Sequence, residues 1–523
     1  MTAPAARLVV GSAAFDRFVS LLEQLVDALP SVEFRSLYHV LPLATQLAGL
    51  ENPLFGSGRS PYSIISLLPR LTPAALSGWR LDLPLEERRA LLDAVYDLTS
   101  AVLLDEAAEF ADLRVDIEGL TGVAAVTRRE DLFVQMDRLR PLANRLSRQR
   151  PGQFAHIAHF DTIEDLRREH AWLSGVPTDV MERWAARSFP TVVEVTFRGW
   201  REGLPEVTGW VLLIGNTTDQ LMRDSRLRKA KIMQAARLAQ RLGAGIVGMA
   251  GLIAFFGNGG HVLSETFPSL GFTTGHAYTI GNILEIATAA SARVGLPLPH
   301  ATVAVVGAAG SIGSGSARLL AAAGVRRLLL IDIWAEPLEA VATAIRAAHP
   351  GIAVETFVDM AAMRRADLTV VATNSTRRIV DSEHVRPGAV VIDDSFPKNV
   401  AESLARERTD VVLLEGGAVR LPRTLEIDRA RNLPNISDVP FTRMVSCQEI
   451  YGCFAETLTL AVSDHRGNYG LGQADPVLAM DIIDKARRLE IGMAPLQFYG
   501  ESLSDARAAR AAAARKALQP ATS

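Results

Sequence analysis

A thiol and a glycine loop are the features of this chain whose residue types could do chemistry together. The thiol is Cys453, in the run Ile450-Tyr451-Gly452-Cys453-Phe454-Ala455-Glu456-Thr457-Leu458. The loop is Gly307-Ala308-Ala309-Gly310-Ser311-Ile312-Gly313, directly after Val305-Val306. A thiolate can hold an acyl group as a thioester. A nicotinamide cofactor held by such a loop can deliver hydride to that group. The combination predicts reduction of an activated acyl group to an aldehyde.

The three glycines lie between a strand pattern and a helix pattern. Gly307 allows the tight turn, Gly310 lets the backbone approach a pyrophosphate, and Gly313 lets helix and strand pack closely. Ser311 and Ile312 open the helix whose N-terminus would receive the phosphate charge. A structural glycine turn is the alternative. Asp332 ends the next strand, about twenty residues on, where an acid accepts hydrogen bonds from ribose hydroxyls. It would repel a 2′-phosphate, so the cofactor is NAD(H) or NADP(H) with NAD(H) favoured. Asp332 read only as a helix cap is the bland alternative. Thr373 and Asn374 close the fourth strand and could approach the nicotinamide riboside. Asp393-Asp394-Ser395-Phe396-Pro397-Lys398-Asn399 closes the fifth. Lys398 there either polarises a carbonyl or pairs with a carboxylate.

Cys453 has a plain alternative too, since a buried cysteine is commonly an inert small hydrophobe. Gly452 before it leaves room on that face. Downstream, His465 could lower the thiol pKa or act as an acid, and His276 is the other candidate. The second cysteine, Cys447, is six positions away, the wrong spacing for a metal or redox pair. No metal site is expected.

Around these residues the chain reads as α/β. Short buried-type strands at Thr302–Val306, Leu328–Ile331, Ala353–Phe357, Leu368–Ala372, Val390–Asp393 and Val411–Leu414 alternate with helices. That pattern predicts a Rossmann-type, doubly wound parallel sheet. The expected organisation is a helical N-terminal extension 1–150, an α+β acyl-substrate lobe 151–295, a dinucleotide-binding domain 296–436, a helical segment 437–503 carrying Cys453, and an Ala/Arg-rich tail 504–523 that reads as a frayed helix. In the second of these, Phe154–Phe160 reads as a strand, and Asp161 with Glu164 as a capping box. Thr191–Phe197 pairs with Gly209–Ile214. One long helix spans Thr218–Leu242. Its Arg223, Arg226, Arg228, Lys229 and Lys231 form a solvated face, or a dock for an acidic carrier protein or a coenzyme phosphate. The apolar run Ala244–Phe256 is core, or the wall of an acyl tunnel.

With 523 residues, 48% of them hydrophobic, the chain can build several cores. The formal net charge is -3, which gives no reason to expect nucleic acid as a partner. No segment is long and apolar enough to read as transmembrane. Two cysteines and no signal-peptide pattern point to a reducing cytoplasm.

From about Phe154 to Leu496 the sequence resembles the cyanobacterial long-chain acyl-[acyl-carrier-protein] reductases. The resemblance is carried by Phe154–Phe160, Thr273-Thr274-Gly275 with Ala277-Tyr278, Val303–Gly307, Ile392-Asp393 before Pro397-Lys398-Asn399, and Gly416-Gly417. Most specific is Cys453-Phe454-Ala455-Glu456 with His465 and Asn468 after it. The resemblance implies that Cys453 carries an acyl-enzyme, which is then reduced to a fatty aldehyde with NADPH. This chain departs from the family at Asp332-Ile333-Trp334, where the family has an Ala-Arg-Asn type sequence. It departs again at Ala418-Val419-Arg420-Leu421, where the family reads Val-Val-Glu-His. The expected partners are an acyl-carrier protein or CoA thioester and an aldehyde-consuming enzyme. Two other readings fit the residues alone. One is a small-alcohol or keto-acid dehydrogenase using Lys398 and Asp394. The other is a non-catalytic dinucleotide sensor.

Overall fold

A computed structural model of the chain describes residues 154–165, 191–198, 206–241, 243–427 and 448–518, with Thr178, Glu182 and Ala185 between them. The expected N-terminal extension 1–150 and Cys447 lie outside the described residues.

The first sheet contains β1 (Phe154–Phe160), β2 (Thr191–Phe197), β3 (Val207–Thr217), β4 (Ile246–Met249) and β5 (Gly271–Thr273). Strands β3, β1, β4 and β5 run parallel in that order. The β2 strand pairs antiparallel with β3, Thr191 opposite Leu213, which is the expected partnership. Every residue of β1 and β3 is buried. A parallel strand covered on both faces needs a continuous apolar run rather than alternation, and β1 and β3 are mostly such runs. The rings of Phe154, Phe160, Phe197 and Phe272 are fully buried here. Each contributes roughly 1.5–3 kcal/mol to the core.

The second sheet is the expected Rossmann-type one. Its strands are β6 (Thr302–Val306), β7 (Arg327–Ile331), β8 (Ala353–Phe357), β9 (Leu368–Val371), β10 (Val390–Asp393) and β11 (Val412–Glu415). The order is β11-β10-β9-β6-β7-β8, and every pairing is parallel. Chain direction across the sheet therefore reverses between β6 and β9. That switch point is where doubly wound sheets bind ligands, beyond the carboxyl ends of the strands.

A small sheet joins the two. It is made of β12 (Ala418–Arg420), β14 (Glu449–Tyr451) and β15 (Gly492–Met493), with β12 in the middle. A short strand, β13 (Glu426–Ile427), leaves it to pair with the edge of the first sheet at β2.

Several local expectations change. The single helix expected over Thr218–Leu242 is two, α1 (Thr218–Arg223) and α2 (Ser225–Arg241). Asp224 separates them, and its carboxylate takes the Leu227 N–H at 2.9 Å, a cap that starts a new helix. The capping box expected from Asp161 and Glu164 sits one residue later. Thr162 Oγ1 accepts the Asp165 N–H, and Asp165 Oδ2 accepts the Thr162 N–H. The basic run is not one solvated face: Arg223 pairs with Glu182 at 2.7 Å, and Lys231 is buried. The apolar run divides into β4, a turn at Gly251 and the short helix α3 (Leu252–Phe256).

The remaining helices that matter are α4 (His276–Arg293), α5 (Ser311–Ala322), α6 (Ala335–Ala348), α7 (Gly452–Val462), α8 (Pro476–Arg488) and α9 (Asp505–Ala517). The tail is not frayed where it is described. Ser504 caps α9, Ala508 and Ala511 are buried, and Arg507 donates to the carbonyls of Val411, Ala405 and Arg408. Helix α4 packs on α5, α7 and α8, and so links the glycine loop to the cysteine helix. Among the described residues no helix is long and apolar enough to cross a membrane.

Candidate active site

Cys453 is the second residue of α7, which begins directly after strand β14. Its sulfur lies 3.8 Å from Nε2 of His156, in the middle of β1. His156 Nδ1 lies 3.1 Å from Thr457 Oγ1. The Thr457 hydroxyl donates its proton to the Cys453 carbonyl at 2.9 Å. The Thr457 oxygen must then accept, so Nδ1 carries the imidazole proton. Nε2 is left as a lone pair facing the thiol. Thr457 thus fixes the tautomer that a general base needs.

Both partners are held neutral. Burial lowers the His156 pKa to about 3. Desolvation pushes the Cys453 thiol up to about 12, with Asp394 and Glu456 adding to the rise. Backbone hydrogen bonds from Gly251 and Phe454 pull it down. The N-terminus of α7 also favours a thiolate, yet here desolvation outweighs it. Cys453 as a residue is half-buried. The same two N–H groups, from Gly251 and Phe454, converge on the sulfur and form a candidate oxyanion hole for an acyl group bonded there.

Glu456 explains the rest of its motif. It is fully buried and accepts from the Thr273 hydroxyl and from the N–H groups of Gly275 at 3.2 Å and Tyr278 at 2.6 Å. It therefore caps the N-terminus of α4 from a neighbouring helix. Burial raises its pKa to about 7 despite these donors. The cap holds Gly275 so close that a Cβ there would overlap Cys453 Cα and Cβ. The Thr273-Thr274-Gly275 run and the Cys-Phe-Ala-Glu run are one packing unit.

His465 is not brought to Cys453. It follows the far end of α7, about 16 Å along an eleven-residue helix, with Nε2 3.4 Å from the Asn468 carbonyl. Asn468 in turn accepts the Phe272 N–H at 3.0 Å, so this loop pins β5. Lys398 donates to the Asp393 carbonyl at 2.8 Å. Beside it Asp394 is raised to about 7 by burial, with Lys398 opposing. His276 stands at the glycine loop instead, its Nδ1 2.9 Å from Ser311 Oγ.

The loop fits a dinucleotide. Gly307 has φ +82°, and a Cβ there would overlap the Ala372 carbonyl oxygen. A Cβ on Gly313 would overlap the Gly307 carbonyl oxygen, so the helix needs glycine at that approach. Gly310 N–H closes the turn on Gly307 at 3.0 Å. Ser311 Oγ also accepts the Ala474 N–H at 2.9 Å, and Ile312 packs into the neighbouring cores. Asp332 sits beside the loop, its Oδ2 accepting the Ala309 N–H at 3.0 Å. Thr373 donates to Asn399 at 2.5 Å, while Asn374 is exposed beyond the end of β9. The cysteine and this loop therefore sit at the carboxyl ends of the two parallel sheets.

Sequence reasoning passed over His156, Thr457 and Gly251. One signal was available for His156: an otherwise apolar seven-residue strand pattern, Phe154–Phe160, that carries two histidines. Buried polar groups need partners.

No family model matches the chain. Aminotransferase PigE of Serratia sp. is 25% identical over 294 residues, covering 54% of this chain and 32% of that protein. The chain thus spans about a third of that relative's length. Among solved structures, glutamyl-tRNA reductase from Methanopyrus kandleri is similar at a TM-score of 0.22, with 21% identity, over 37% of this chain and 48% of that one. Quinate dehydrogenase from Corynebacterium glutamicum in complex with NAD gives 0.27, with 15% identity, over 50% and 87%. The chain is distantly related to the long-chain acyl-[acyl-carrier-protein] reductase of Synechococcus elongatus, at 28% identity over 336 residues, which cover 62% of this chain and 92% of the reductase.

Proposed function

We propose that the chain is an NAD(P)H-dependent reductase that converts an acyl thioester, on an acyl-carrier protein or CoA, into an aldehyde through an acyl-enzyme on Cys453. The observation that carries this reading is the neutral Cys453–His156 pair beneath the N–H groups of Gly251 and Phe454. A neutral pair is suited to an uncharged electrophile: the proton moves only when the sulfur bonds to carbon.

The steps follow from the groups in place. Cys453 sulfur attacks the thioester carbon while His156 Nε2 takes its proton. The oxygen turns negative against Gly251 and Phe454. The bond to the carrier sulfur breaks, and His156 returns the proton to the leaving thiolate. A reduced nicotinamide dinucleotide, when bound at Gly307–Gly313, supplies hydride to the enzyme thioester. The Cys453–carbon bond then breaks, the aldehyde leaves, and the thiolate takes a solvent proton by way of His156. The overall reaction consumes one hydride and one proton. Asp332 directs the reading toward NAD(H).

Intact-mass spectrometry after incubation with acyl-CoA and acyl-carrier-protein thioesters, without reduced cofactor, tests the reading. One added acyl mass mapped to Cys453 is expected. No adduct across several chain lengths on either carrier would overturn it.

A further inference from the structure

His159 is the second histidine of β1, and the site described so far does not use it. It is 5% exposed. Its Nδ1 lies 2.9 Å from the Phe160 carbonyl oxygen, which can only accept, so Nδ1 carries the proton. Nε2 is therefore an acceptor. It is buried and has no hydrogen-bond partner among the described residues. A buried acceptor left unmatched costs roughly 1–3 kcal/mol, and a group a ligand would satisfy is the kind a binding site keeps.

Its surroundings say which ligand. Nε2 lies 3.3 Å from where a Gly251 Cβ would be, and Gly251 has none. The Gly251 N–H is the one that faces the Cys453 sulfur. Phe396 borders the same point, its Cδ1 3.6 Å from that Cβ position, and its ring meets the His159 ring edge-on with centroids 6.4 Å apart. Phe396 follows β10, next to β9 and Thr373. In a doubly wound sheet that half receives the nicotinamide end of the dinucleotide. Hydride leaves C4 of the ring, and the carboxamide is on the adjacent C3. If C4 is to reach an acyl carbon on Cys453, the carboxamide must lie within a few ångströms of it.

We propose that His159 Nε2 accepts a hydrogen bond from the carboxamide N–H of the bound nicotinamide, and so fixes the orientation of the ring over Cys453. The proposal rests on the reductase reading above. It makes His159 a positioning residue. A lone-pair acceptor is matched by an amide N–H and not by the carbonyl end of the same carboxamide. The orphan atom thus selects one of the two ways the carboxamide can turn.

The test is titration calorimetry of the full chain with three probes: NAD, 3-acetylpyridine adenine dinucleotide and ADP-ribose. The acetylpyridine compound keeps the carbonyl but replaces the amide N–H₂ by a methyl. ADP-ribose lacks the ring. Wild type should bind NAD roughly three- to tenfold more tightly than the acetylpyridine analogue, the worth of one neutral hydrogen bond. His159→Phe should erase that difference and leave ADP-ribose unchanged. His159→Gln, which can place an amide oxygen near the same point, should restore part of it. A discrimination that survives in both variants overturns the proposal. Wild type that binds NAD but not more tightly than the analogue overturns it too. If ADP-ribose and NAD both fail to bind wild type, the dinucleotide reading itself falls. Unchanged ADP-ribose affinity also confirms that His159→Phe has folded.

Discussion

Cys453 and His156, 297 positions apart in sequence, meet at 3.8 Å with both groups uncharged. The thiol is pushed to about 12 and the imidazole to about 3, each by burial first. A preformed thiolate–imidazolium pair requires the opposite order of pKa values. The free protein should therefore be sluggish toward iodoacetamide at pH 7, with alkylation still rising above pH 9. Acylation by thioester should proceed at pH 7 all the same, because in the proposed mechanism His156 takes the proton during attack. A rate plateau with an apparent pKa below 7 would remove the neutral-pair mechanism. His156→Ala should slow acylation by about 10²–10⁴-fold, the usual range for a general base.

Gly275→Ala should be costly out of proportion to its size. Its Cβ would overlap Cys453, and its φ of +75° disfavours any side chain. Overpacking of this kind costs roughly 1–3 kcal/mol, and the displaced thiol should lose most acylation. Gly452→Ala is the control: the nearest atom its Cβ meets is Thr279 Oγ1 at 3.3 Å. Melting temperature and acylation rate measured on both variants should separate them. Equal behaviour would mean that the Gly275–Cys453 contact has no consequence.

Cofactor choice should follow Asp332. Its carboxylate stands beside the Ala309 N–H, where a ribose hydroxyl would donate to it and a 2′-phosphate would be repelled. NADH should bind at least as well as NADPH. Asp332→Ala should lose roughly 1.5–3 kcal/mol toward NADH if the contact is charge-assisted, about ten- to over a hundredfold in affinity. Fluorescence titration with both cofactors decides it, and strong NADPH preference in the wild type would show that the acid points elsewhere.

Glu456 predicts how stability depends on pH. Its folded pKa of about 7 exceeds the usual carboxylate value of 4.5. The folded protein then holds more protons than the unfolded chain between those values. This contribution is full below pH 4.5 and is lost as pH rises through 7. The loss is on the order of 3 kcal/mol for a fully buried group. His156 works in the opposite direction, losing stability as pH falls from 6.5 toward 3. Glu456→Gln should flatten only the first slope. Thermal midpoints of both proteins at pH 5 and pH 8 measure this, and parallel pH profiles would mean that Glu456 ionises normally.

The second sheet was legible because each strand is a short buried run set off by helix signals, and β6, the glycines and α5 follow in unbroken order. All six expected strands match within a residue at each end, β11 shifted by one. The cysteine was legible through its motif. Its partner was not, because His156 and Cys453 are 297 positions apart in sequence. Proximity in sequence pointed to His465, and helix length separates the two. The same blindness hid Glu456, whose donors come from Thr273, Gly275 and Tyr278. Backbone donors such as Gly251 N–H leave no mark in sequence beyond a glycine.

Gly248 gives the sharpest contrast with an acyl-tunnel reading of Ala244–Phe256. A Cβ at this position would overlap Thr457 Oγ1 and His156 Nδ1. Gly248 is thus the gap through which β4 crosses the hydrogen bond that fixes the His156 tautomer. Gly248→Ala should break that bond and depress acylation of Cys453 equally for short and long acyl thioesters. Ala250 is different: it is half-buried, packs against the core that holds Phe454, and directly precedes Gly251. Ala250→Phe should intrude on the substrate itself. Long chains should then lose more turnover than short ones, since each excluded methylene is worth about 0.8 kcal/mol of burial. Acylation rates for two chain lengths, beside melting curves, test both variants. Chain-length dependence at Gly248 would place the acyl group along β4. Full acylation in Gly248→Ala would show that the Thr457–His156 bond is dispensable.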